Sequence, residues 1–205
     1  MVKETIAIID YGMGNLRSVQ KALEISGART IITQKKADIQ KADKVVLPGV
    51  GAIKAAVEKL SELKLIDPLQ EAIDKGKPFL GICLGLQLLF EKSDEGGQVK
   101  GLGILKGNVK RFQSLKVPQI GWNQLQLSQK NNPLFAGIPE GSNVYFCHSY
   151  FVEPTDRTIV AATTDYGMNY ASSIRKNNLF GVQFHPEKSQ TIGLRLLKNF
   201  TELKT

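Results

Sequence analysis

The chain has few of the residues from which disulfide frameworks and metal sites are built. Its 205 residues include two cysteines and two histidines. Two cysteines are too few for a disulfide framework, and the cysteines and histidines lack the spacing of zinc ligands. We therefore predict no metal and no cofactor of that kind, and we expect a reducing compartment in which a thiol stays free.

Long apolar runs are also missing. No stretch approaches the roughly 20 apolar residues of a membrane-spanning helix. The run Ile6-Ala7-Ile8-Ile9 has four residues and ends at Asp10, so it does not have the pattern of a signal peptide. These features predict a cytoplasmic protein with no membrane partner.

Basic residues exceed acidic ones, and the formal net charge is +8. Such an excess is typical of many nucleic-acid-binding proteins. Here the basic residues are spread singly, and the only adjacent pairs are 35–36, 110–111 and 175–176. Without a basic helix, we predict no nucleic-acid partner and interpret the lysines as a solvated surface. A basic face for an acidic protein or an anionic substrate is an open alternative.

The first half of the chain alternates short apolar runs with amphipathic patterns. The apolar runs predict strands over 5–9, 30–33, 44–47 and 78–82. The amphipathic patterns predict helices over 15–26, 52–64 and 69–75, and one more from Cys83 to about Lys92. Because the strands are apolar without alternation, they are typical of a parallel sheet with helices on both faces.

The second half is richer in strands. Residues 101–127 have a strand-like pattern that Gly and Pro residues interrupt. Further strands are predicted over 143–152, 158–164, 170–175 and 179–184, and a final helix is predicted over 190–203. The turn residues between them favour antiparallel or edge strands. No linker-like segment intervenes. We therefore predict one α/β domain over residues 1–205, a three-layer sandwich with a mostly parallel central sheet and added antiparallel strands in its C-terminal half.

Cys83 lies at the centre of Gly81-Ile82-Cys83-Leu84-Gly85, between an apolar strand and an apolar helix pattern. A strand that turns into a helix through Gly-x-nucleophile-x-Gly forces the middle residue into a tight bend, and the glycines supply the necessary space. The start of the following helix favours the thiolate. Cys83 is therefore predicted to be a nucleophile. Cys147, inside the apolar run 144–147, is predicted to be an inert buried residue.

His185 is the candidate base for this thiol. It ends an apolar strand at Pro186, and at the strand period of two Glu187 projects to the same side. Glu187 can then accept the second imidazole N–H, as in a nucleophile–histidine–carboxylate triad. A lone histidine is more often structural, but the pairing with Glu187 and the cysteine bend favour a triad. His148, with Tyr150 two residues later, is the competing base, and we predict that it is a pocket or structural residue.

Two glycine-containing turns follow predicted strands in the first half of the chain. The turn Pro48-Gly49-Val50-Gly51 ends a buried strand and, with the Leu84 N–H, suits an oxyanion site. A phosphate cradle is the rival use, but no Gly-Lys-Ser/Thr follows. The segment 11–15 resembles a dinucleotide-binding turn, but Arg17 stands at the third glycine position. We therefore expect no nucleotide cofactor.

Taken together, Gly-Ile-Cys-Leu-Gly-Leu-Gln at 81–87 and Gln-Phe-His-Pro-Glu at 183–187 resemble the class I, or triad, glutamine amidotransferases over essentially the whole chain. The resemblance implies a flavodoxin-like fold. The motifs at 9–15, 48–51 and 119–123 are similar to those of the glutaminase subunits of imidazole glycerol phosphate synthases. Glutaminase subunits of anthranilate or pyridoxal phosphate synthase type, and a non-catalytic module of this fold, are alternatives.

The resemblance implies a mechanism and a set of site residues. Cys83 would attack the glutamine carboxamide to form a glutamyl thioester and ammonia, His185 would activate water, and Glu187 would orient His185. The oxyanion site would be lined by Val50, Gly51 and Leu84. The amino-acid end of glutamine would be held by Gln87, Ser149 and Tyr150.

The resemblance also implies a partner. Ammonia would pass, shielded from water, to a (β/α)8-barrel cyclase subunit in a heterodimer. That subunit makes imidazole glycerol phosphate and an aminoimidazole carboxamide ribotide in histidine biosynthesis. The residues that would face the cyclase are Asn15, Ile120, Trp122, Tyr145 and Lys188. A core position for Trp122 and a helix N-cap role for Asn15 are the structural alternatives.

Overall fold

A computed structural model describes residues 4–113, 115–129 and 131–204. The strands are β1 (Thr5–Ile9), β2 (Arg29–Thr33), β3 (Lys44–Gly49), β4 (Phe79–Cys83), β5 (Phe90–Ser93), β6 (Val99–Lys100), β7 (Leu105–Arg111), β8 (Gln119–Gln124), β9 (Gln126–Leu127), β10 (Asn143–His148), β11 (Tyr150–Pro154), β12 (Val160–Asp165), β13 (Asn169–Lys176) and β14 (Leu179–Val182). The helices are α1 (Leu16–Ile25), α2 (Lys36–Lys41), α3 (Ile53–Glu62), α4 (Ile66–Asp74), α5 (Leu84–Leu88) and α6 (Gln190–Thr201). Short 3-10 turns cover Pro133–Phe135, Arg157–Ile159 and Pro186–Lys188.

Twelve of the strands form one mixed sheet. Its order is β2-β1-β3-β4-β14-β13-β11-β7-β5-β6, with β12 and β9 attached through β13. The five strands from β2 to β14 pair in parallel, and β14 and β11 each pair antiparallel with β13. Strands β8 and β10 form a separate antiparallel ribbon. The predicted α/β architecture, with antiparallel strands added in the C-terminal half, is confirmed.

The sheet is covered on both faces because its strands β1, β3 and β4 are apolar at nearly every position. Ile6 and Ile8 of β1 belong to one buried core, which also contains residues of α1 and α6. Ala7 and Ile9 belong to a second core, on the other face, which also contains residues of α2, α3 and α4. Successive strand side chains point to opposite faces. A continuous apolar strand therefore produces the three layers that the sequence predicts.

Several elements differ from the prediction, and two of the differences affect residues near Cys83 and Cys147. The helix after Cys83 ends at Leu88, and Phe90–Ser93 is a strand that pairs with β7. Tertiary pairing therefore overrides the helical pattern of the leucine run. The predicted strand 143–152 is divided at Ser149, because β10 pairs in the ribbon and β11 pairs in the main sheet.

The prediction that Cys147 is buried is wrong. Val144, Phe146 and His148 of β10 are buried, whereas Cys147 is exposed. The ribbon of β8 and β10 packs against the rest of the chain through one face, so alternate residues of an apolar run remain outside. The run 144–147 contains too few polar residues to reveal that alternation.

Candidate active site

Cys83 lies at a strained bend between β4 and α5. Its φ of 54° and ψ of −108° are unusual for a residue with a side chain. A Cβ at Gly81 would lie 2.7 Å from the Gly85 carbonyl oxygen, and one at Gly85 would lie 1.8 Å from the Leu47 oxygen. Both glycines are therefore required by close backbone contacts. The helix that follows has five residues, so its dipole at the thiol is smaller than the predicted longer helix would supply.

His185 and Glu187 form a buried pair beside this bend. Nδ1 of His185 lies 2.8 Å from Oε1 of Glu187, and their side chains are 5% and 1% exposed. The strand argument for this pairing is wrong, because β14 ends at Val182 and Glu187 lies in the 3-10 turn Pro186–Lys188. The His185 backbone N–H donates to the Tyr145 carbonyl at 2.9 Å, which fixes the turn against β10.

The charge state of His185 follows from its neighbours. Burial by itself would lower the pKa of His185, but hydrogen bonds to Cys83 and Glu187, and the charges of both groups, raise it well above its ordinary value. The imidazole is thus held next to the sulfur on one side and the carboxylate on the other. This arrangement supports a thiolate–imidazolium pair.

His148, the competing base, is occupied elsewhere. Its Nδ1 lies 2.7 Å from the Tyr150 carbonyl oxygen, which can only accept, so Nδ1 carries the proton. Its Nε2 lies 3.3 Å from the Tyr170 hydroxyl. Burial, opposed by the Tyr150 hydrogen bond and assisted by the charge of His185, lowers the pKa of His148 to about 4. His148 is therefore a neutral residue of the cavity wall.

A cavity of about 490 Å³ opens at Cys83. It brings together predicted site residues from both halves of the chain, namely Cys83, His185, Val50, Gly51, Leu84, Gln87, Ser149, Tyr150 and Lys188. Its wall also contains His148, which the sequence predicts to be a pocket or structural residue, and four residues that the sequence did not identify as ligand-binding: Ala52, Glu95, Pro118 and Cys147. Glu187 lies behind His185.

The glycine turn after β3 is packed tightly against the first loop of the chain. The Tyr11 hydroxyl donates to the Pro48 carbonyl at 2.9 Å. A Cβ on Gly49 would lie 2.0 Å from that hydroxyl, and one on Gly51, whose φ is +97°, would lie 2.9 Å from Met13 Cε. Burial and the charge of Cys83 raise the pKa of Tyr11, so the hydroxyl keeps its proton. Segment 11–14 therefore supports the predicted oxyanion turn.

Glu95 is a cavity residue that the sequence did not reveal. Its Oε2 accepts the Ile53 N–H at 2.8 Å, at the first turn of α3. Helix α3 has no capping side chain of its own at Ala52. Glu95 thus ties the loop between β5 and β6 to the helix that follows the glycine turn. No local pattern around residue 95 indicates this contact. The sequence also predicts a helix where β5 lies, so it does not place residue 95 in a loop beside α3.

The outer face of the β8–β10 ribbon carries most of the predicted partner-facing residues. Ile120 and Trp122 are 62% and 47% exposed, so a core position for Trp122 is wrong. Trp122 pairs with Tyr145 across the ribbon, and their ring centroids are 6.1 Å apart. Lys188 Nζ lies 5.7 Å from the Tyr145 ring centroid. Asn15, the remaining predicted contact, is the N-cap of α1, and its side chain accepts the Ser18 N–H at 3.4 Å.

Among the residues that the structure describes, no group of three or more His, Cys, Asp or Glu side chains is placed to hold a metal ion. Over the same ranges, the helices are all too short or too polar to span a bilayer.

Comparison with known proteins gives consistent results. Residues 7–203 match the family described as glutamine amidotransferase class-I. The chain is 54% identical over 207 residues to the imidazole glycerol phosphate synthase subunit HisH of Thermosynechococcus vestitus, covering 99% of each chain. It is 53% identical over 199 residues to the HisH subunit of Moorella thermoacetica, covering 97% of this chain and 94% of that one.

Solved structures show the same fold at lower sequence identity. A crystal structure of a glutamine amidotransferase has a TM-score of 0.76 at 19% identity and covers 96% of this chain and 97% of its own. PurLQS from Thermotoga maritima has a TM-score of 0.74 at 22% identity, covering 97% and 96%. At these identities the likeness concerns the fold alone.

Proposed function

This chain belongs to the class-I glutamine amidotransferase family, and from that premise we propose the reaction and the residues that carry it. It is the glutaminase subunit of an imidazole glycerol phosphate synthase, an enzyme of histidine biosynthesis. Its identities of 48–54% to subunits of that name extend over 97% or more of the chain. The observation that carries the proposed mechanism is the placement of Cys83 and His185 in the wall of one cavity, with Glu187 in contact with His185 behind it.

The first half-reaction forms a thioester. The Cys83 thiolate attacks the carboxamide carbon of glutamine, and the carbonyl electrons move to oxygen. The Leu84 N–H and the N–H groups of Val50 and Gly51 are the candidate donors to that oxyanion. The C–N bond then breaks, and the His185 imidazolium gives its proton to the leaving nitrogen, so that ammonia departs.

The second half-reaction restores the thiolate. His185, now neutral, takes a proton from water, and the resulting hydroxide attacks the thioester carbon. The C–S bond breaks, and glutamate leaves while the sulfur returns to the thiolate. Glu187 keeps the imidazole oriented through its 2.8 Å contact with Nδ1 in both steps.

The amino-acid end of glutamine requires groups for an ammonium and a carboxylate. Gln87 Nε2 donates to the Tyr150 carbonyl at 3.0 Å and to Gln183 Oε1 at 3.1 Å, which leaves its amide oxygen to accept. Glu95 adds a carboxylate to the same cavity wall. Gln87 and Glu95 are suited to the ammonium group, and Ser149 and Tyr150 to the carboxylate.

The partner is the cyclase subunit, which consumes the ammonia. Free ammonia in neutral water is mostly protonated and loses its nucleophilicity, so a shielded passage between subunits is required. The exposed apolar face formed by Ile120 and Trp122, with Tyr145 and Lys188 beside it, is the docking surface that we propose. Asn15 is the remaining predicted contact. A free nucleophilic thiol also supports a cytoplasmic location, because the cytoplasm keeps thiols reduced.

The test is the Cys83→Ala variant, assayed together with a cyclase subunit. Glutamine-dependent synthesis should be abolished, whereas ammonium salts should still support synthesis by the partner. The matched control is Cys147→Ser, which removes the other thiol of the same cavity and should retain activity. Normal glutamine hydrolysis by Cys83→Ala would eliminate the triad assignment. If the chain co-purified with an anthranilate or pyridoxal phosphate synthase subunit instead of a cyclase, the proposed partner would be wrong.

A further inference from the structure

Gln183 is a fully buried residue to which the mechanism above gives no catalytic task. Its Nε2 lies 3.6 Å from Cys83 Sγ. Its backbone N–H donates to the Ser172 carbonyl at 2.9 Å, which extends the β13–β14 pairing and holds the residue in place. A buried amide is costly unless both of its polar atoms are satisfied. The sulfur is therefore part of what satisfies this side chain.

The direction of the Gln183 amide follows from a chain of contacts that begins at a backbone carbonyl. The Tyr150 oxygen can only accept, so Gln87 must present its nitrogen to it, at 3.0 Å. The second hydrogen of that nitrogen is directed to Gln183, 3.1 Å away. Gln183 must then present its oxygen to Gln87, which leaves its N–H groups facing the sulfur.

We propose that Gln183 is a further catalytic residue, whose amide N–H donates to the Cys83 sulfur and stabilises the thiolate in an orientation set by Gln87. The proposal rests on the proposed function for the identity of the reaction, and on the contacts alone for the effect on the sulfur. The thiolate is then held by two donors, His185 and Gln183, before it attacks glutamine and again when the C–S bond of the thioester breaks. Hydrogen bonds to charged groups are about twice as strong as neutral ones.

Other titratable groups also interact with this sulfur, and they must be the same in all the proteins whose thiol reactivity is compared. Tyr11 and Tyr170 interact with the charge of Cys83 from the first loop and from β13. The cavity also contains His185, His148, Glu95, Tyr150 and Lys188. None of them is altered by a substitution at residue 183, so a change in the behaviour of the thiol reports on the amide.

The experiment measures alkylation of Cys83 by iodoacetamide against pH, in a Cys147→Ser background so that one thiol reacts. Gln183→Met keeps the size of the side chain and removes the donor. Gln183→Glu keeps the shape and replaces the donor with an acceptor. The control is Asn199→Leu, which removes a buried amide that donates to the Leu134 and Ala136 carbonyls, at 2.9 and 2.8 Å. Circular dichroism establishes that each variant is folded.

The expected result is a rise in the midpoint of the alkylation profile by about one pH unit for Gln183→Met, equivalent to about tenfold slower alkylation below the midpoint. Gln183→Glu should shift it further in the same direction, and Asn199→Leu should leave it in place. With the cyclase present, glutaminase kcat/KM of Gln183→Met should fall about tenfold at low pH and recover at high pH.

The proposal is overturned if either folded Gln183 variant has the same alkylation profile against pH as the protein that carries Cys147→Ser alone. A loss of kcat/KM that is equal at every pH also overturns it, because a structural defect would not recover. These results differ from a failure of the proposed function. If the chain hydrolysed no glutamine with any partner, the shift in the alkylation profile would still test the contact between Gln183 and the sulfur.

Discussion

At the residue scale, Cys83 is held in a conformation that the backbone does not adopt without support. A backbone φ of 54° in a residue other than glycine costs on the order of 1–3 kcal/mol of conformational free energy, which the surrounding structure must supply. The support comes from β3, since Gly49 pairs with Cys83 and Leu47 lies against Gly85. The same contacts place the glycine turn beside the sulfur. Strain and positioning therefore have one origin.

The pKa values of the two histidines are shifted in opposite directions, because only His185 has partners that outweigh its burial. His185 lies between a sulfur and a carboxylate, which favour its protonated form. Burial favours the neutral form of His148 and outweighs its hydrogen bond to the Tyr150 carbonyl oxygen. Their contributions to stability therefore change in different ranges of pH.

We predict that His148→Gln makes the protein less sensitive to acid. In the wild type the pKa of His148 is lowered from 6.5 to about 4, so the stability that it contributes is present above pH 6.5 and is lost as the pH falls toward 4. By pH 4 the loss is about 3 kcal/mol. Because the pKa of His185 is raised, its contribution changes only above pH 6.5.

The measurement is the free energy of unfolding in urea at pH 7 and pH 4.5 for both proteins. The carboxyl groups titrate alike in the two proteins and cancel in the comparison. An equal loss of stability in the wild type and in His148→Gln would contradict the assignment of a neutral His148.

At the element scale, the loop between β5 and β6 acts on α3 through one side chain. Glu95 accepts the Ile53 N–H and lines the cavity, so it has a capping contact and a ligand-facing position together. The helix begins directly after the glycine turn, at Ile53. A displacement of this loop is therefore transmitted to the turn.

We predict that two substitutions separate these roles of Glu95. Glu95→Gln keeps an acceptor for the Ile53 N–H, so the free energy of unfolding should change by less than about 0.5 kcal/mol, whereas loss of the charge should raise KM for glutamine by about tenfold. Glu95→Ala should raise KM similarly and also lower the free energy of unfolding by about 1 kcal/mol.

Steady-state kinetics with the cyclase present and urea unfolding provide both values. If Glu95→Gln left KM unchanged, Glu95 would be a helix cap only, and the ammonium group of glutamine would be assigned to Gln87 alone.

At the scale of the whole molecule, the carboxyl ends of β3, β4 and β14 converge on one edge of the sheet. The glycine turn, Cys83 and the segment leading to His185 follow those three strands. Ligand sites of open α/β sheets form at such edges. The β8–β10 ribbon stands beside this edge, so its exposed face and the mouth of the cavity are neighbours.

We predict that truncating this face weakens partner binding without weakening the fold. Ile120→Ala and Trp122→Ala should each raise the Kd for the cyclase by about 10- to 100-fold, because central aromatic and aliphatic anchors carry most of an interface's binding energy. Their free energies of unfolding should change by less than about 0.5 kcal/mol, since both side chains are exposed.

Isothermal titration calorimetry with the cyclase measures the Kd. The matched control is Ile25→Ala, an equally exposed aliphatic residue at the end of α1, which should leave the Kd unchanged. Wild-type affinity in the Trp122→Ala and Ile120→Ala variants would mean that the cyclase docks elsewhere.

The sequence by itself determined the features that depend on short-range pattern. The bend at Cys83 follows from glycines two residues on either side, because a Cβ at Gly81 or Gly85 would meet backbone atoms. The layers follow from strands that are apolar at nearly every position. The identities of Cys83, His185 and Glu187 as a chemical set also came from local motifs, although the predicted strand geometry for the last two was wrong.

Only the tertiary structure decided which distant groups enter the site. Gln183 meets a sulfur 100 residues away in sequence, and Glu95 meets an N–H 42 residues away. Cys147 is exposed because β10 leaves the main sheet for a ribbon, and Phe90–Ser93 is a strand because β7 is available to pair with it. Periodicity reports only which face of an element is apolar. Long-range packing determines which element covers that face and which side chains from distant parts of the sequence come into contact.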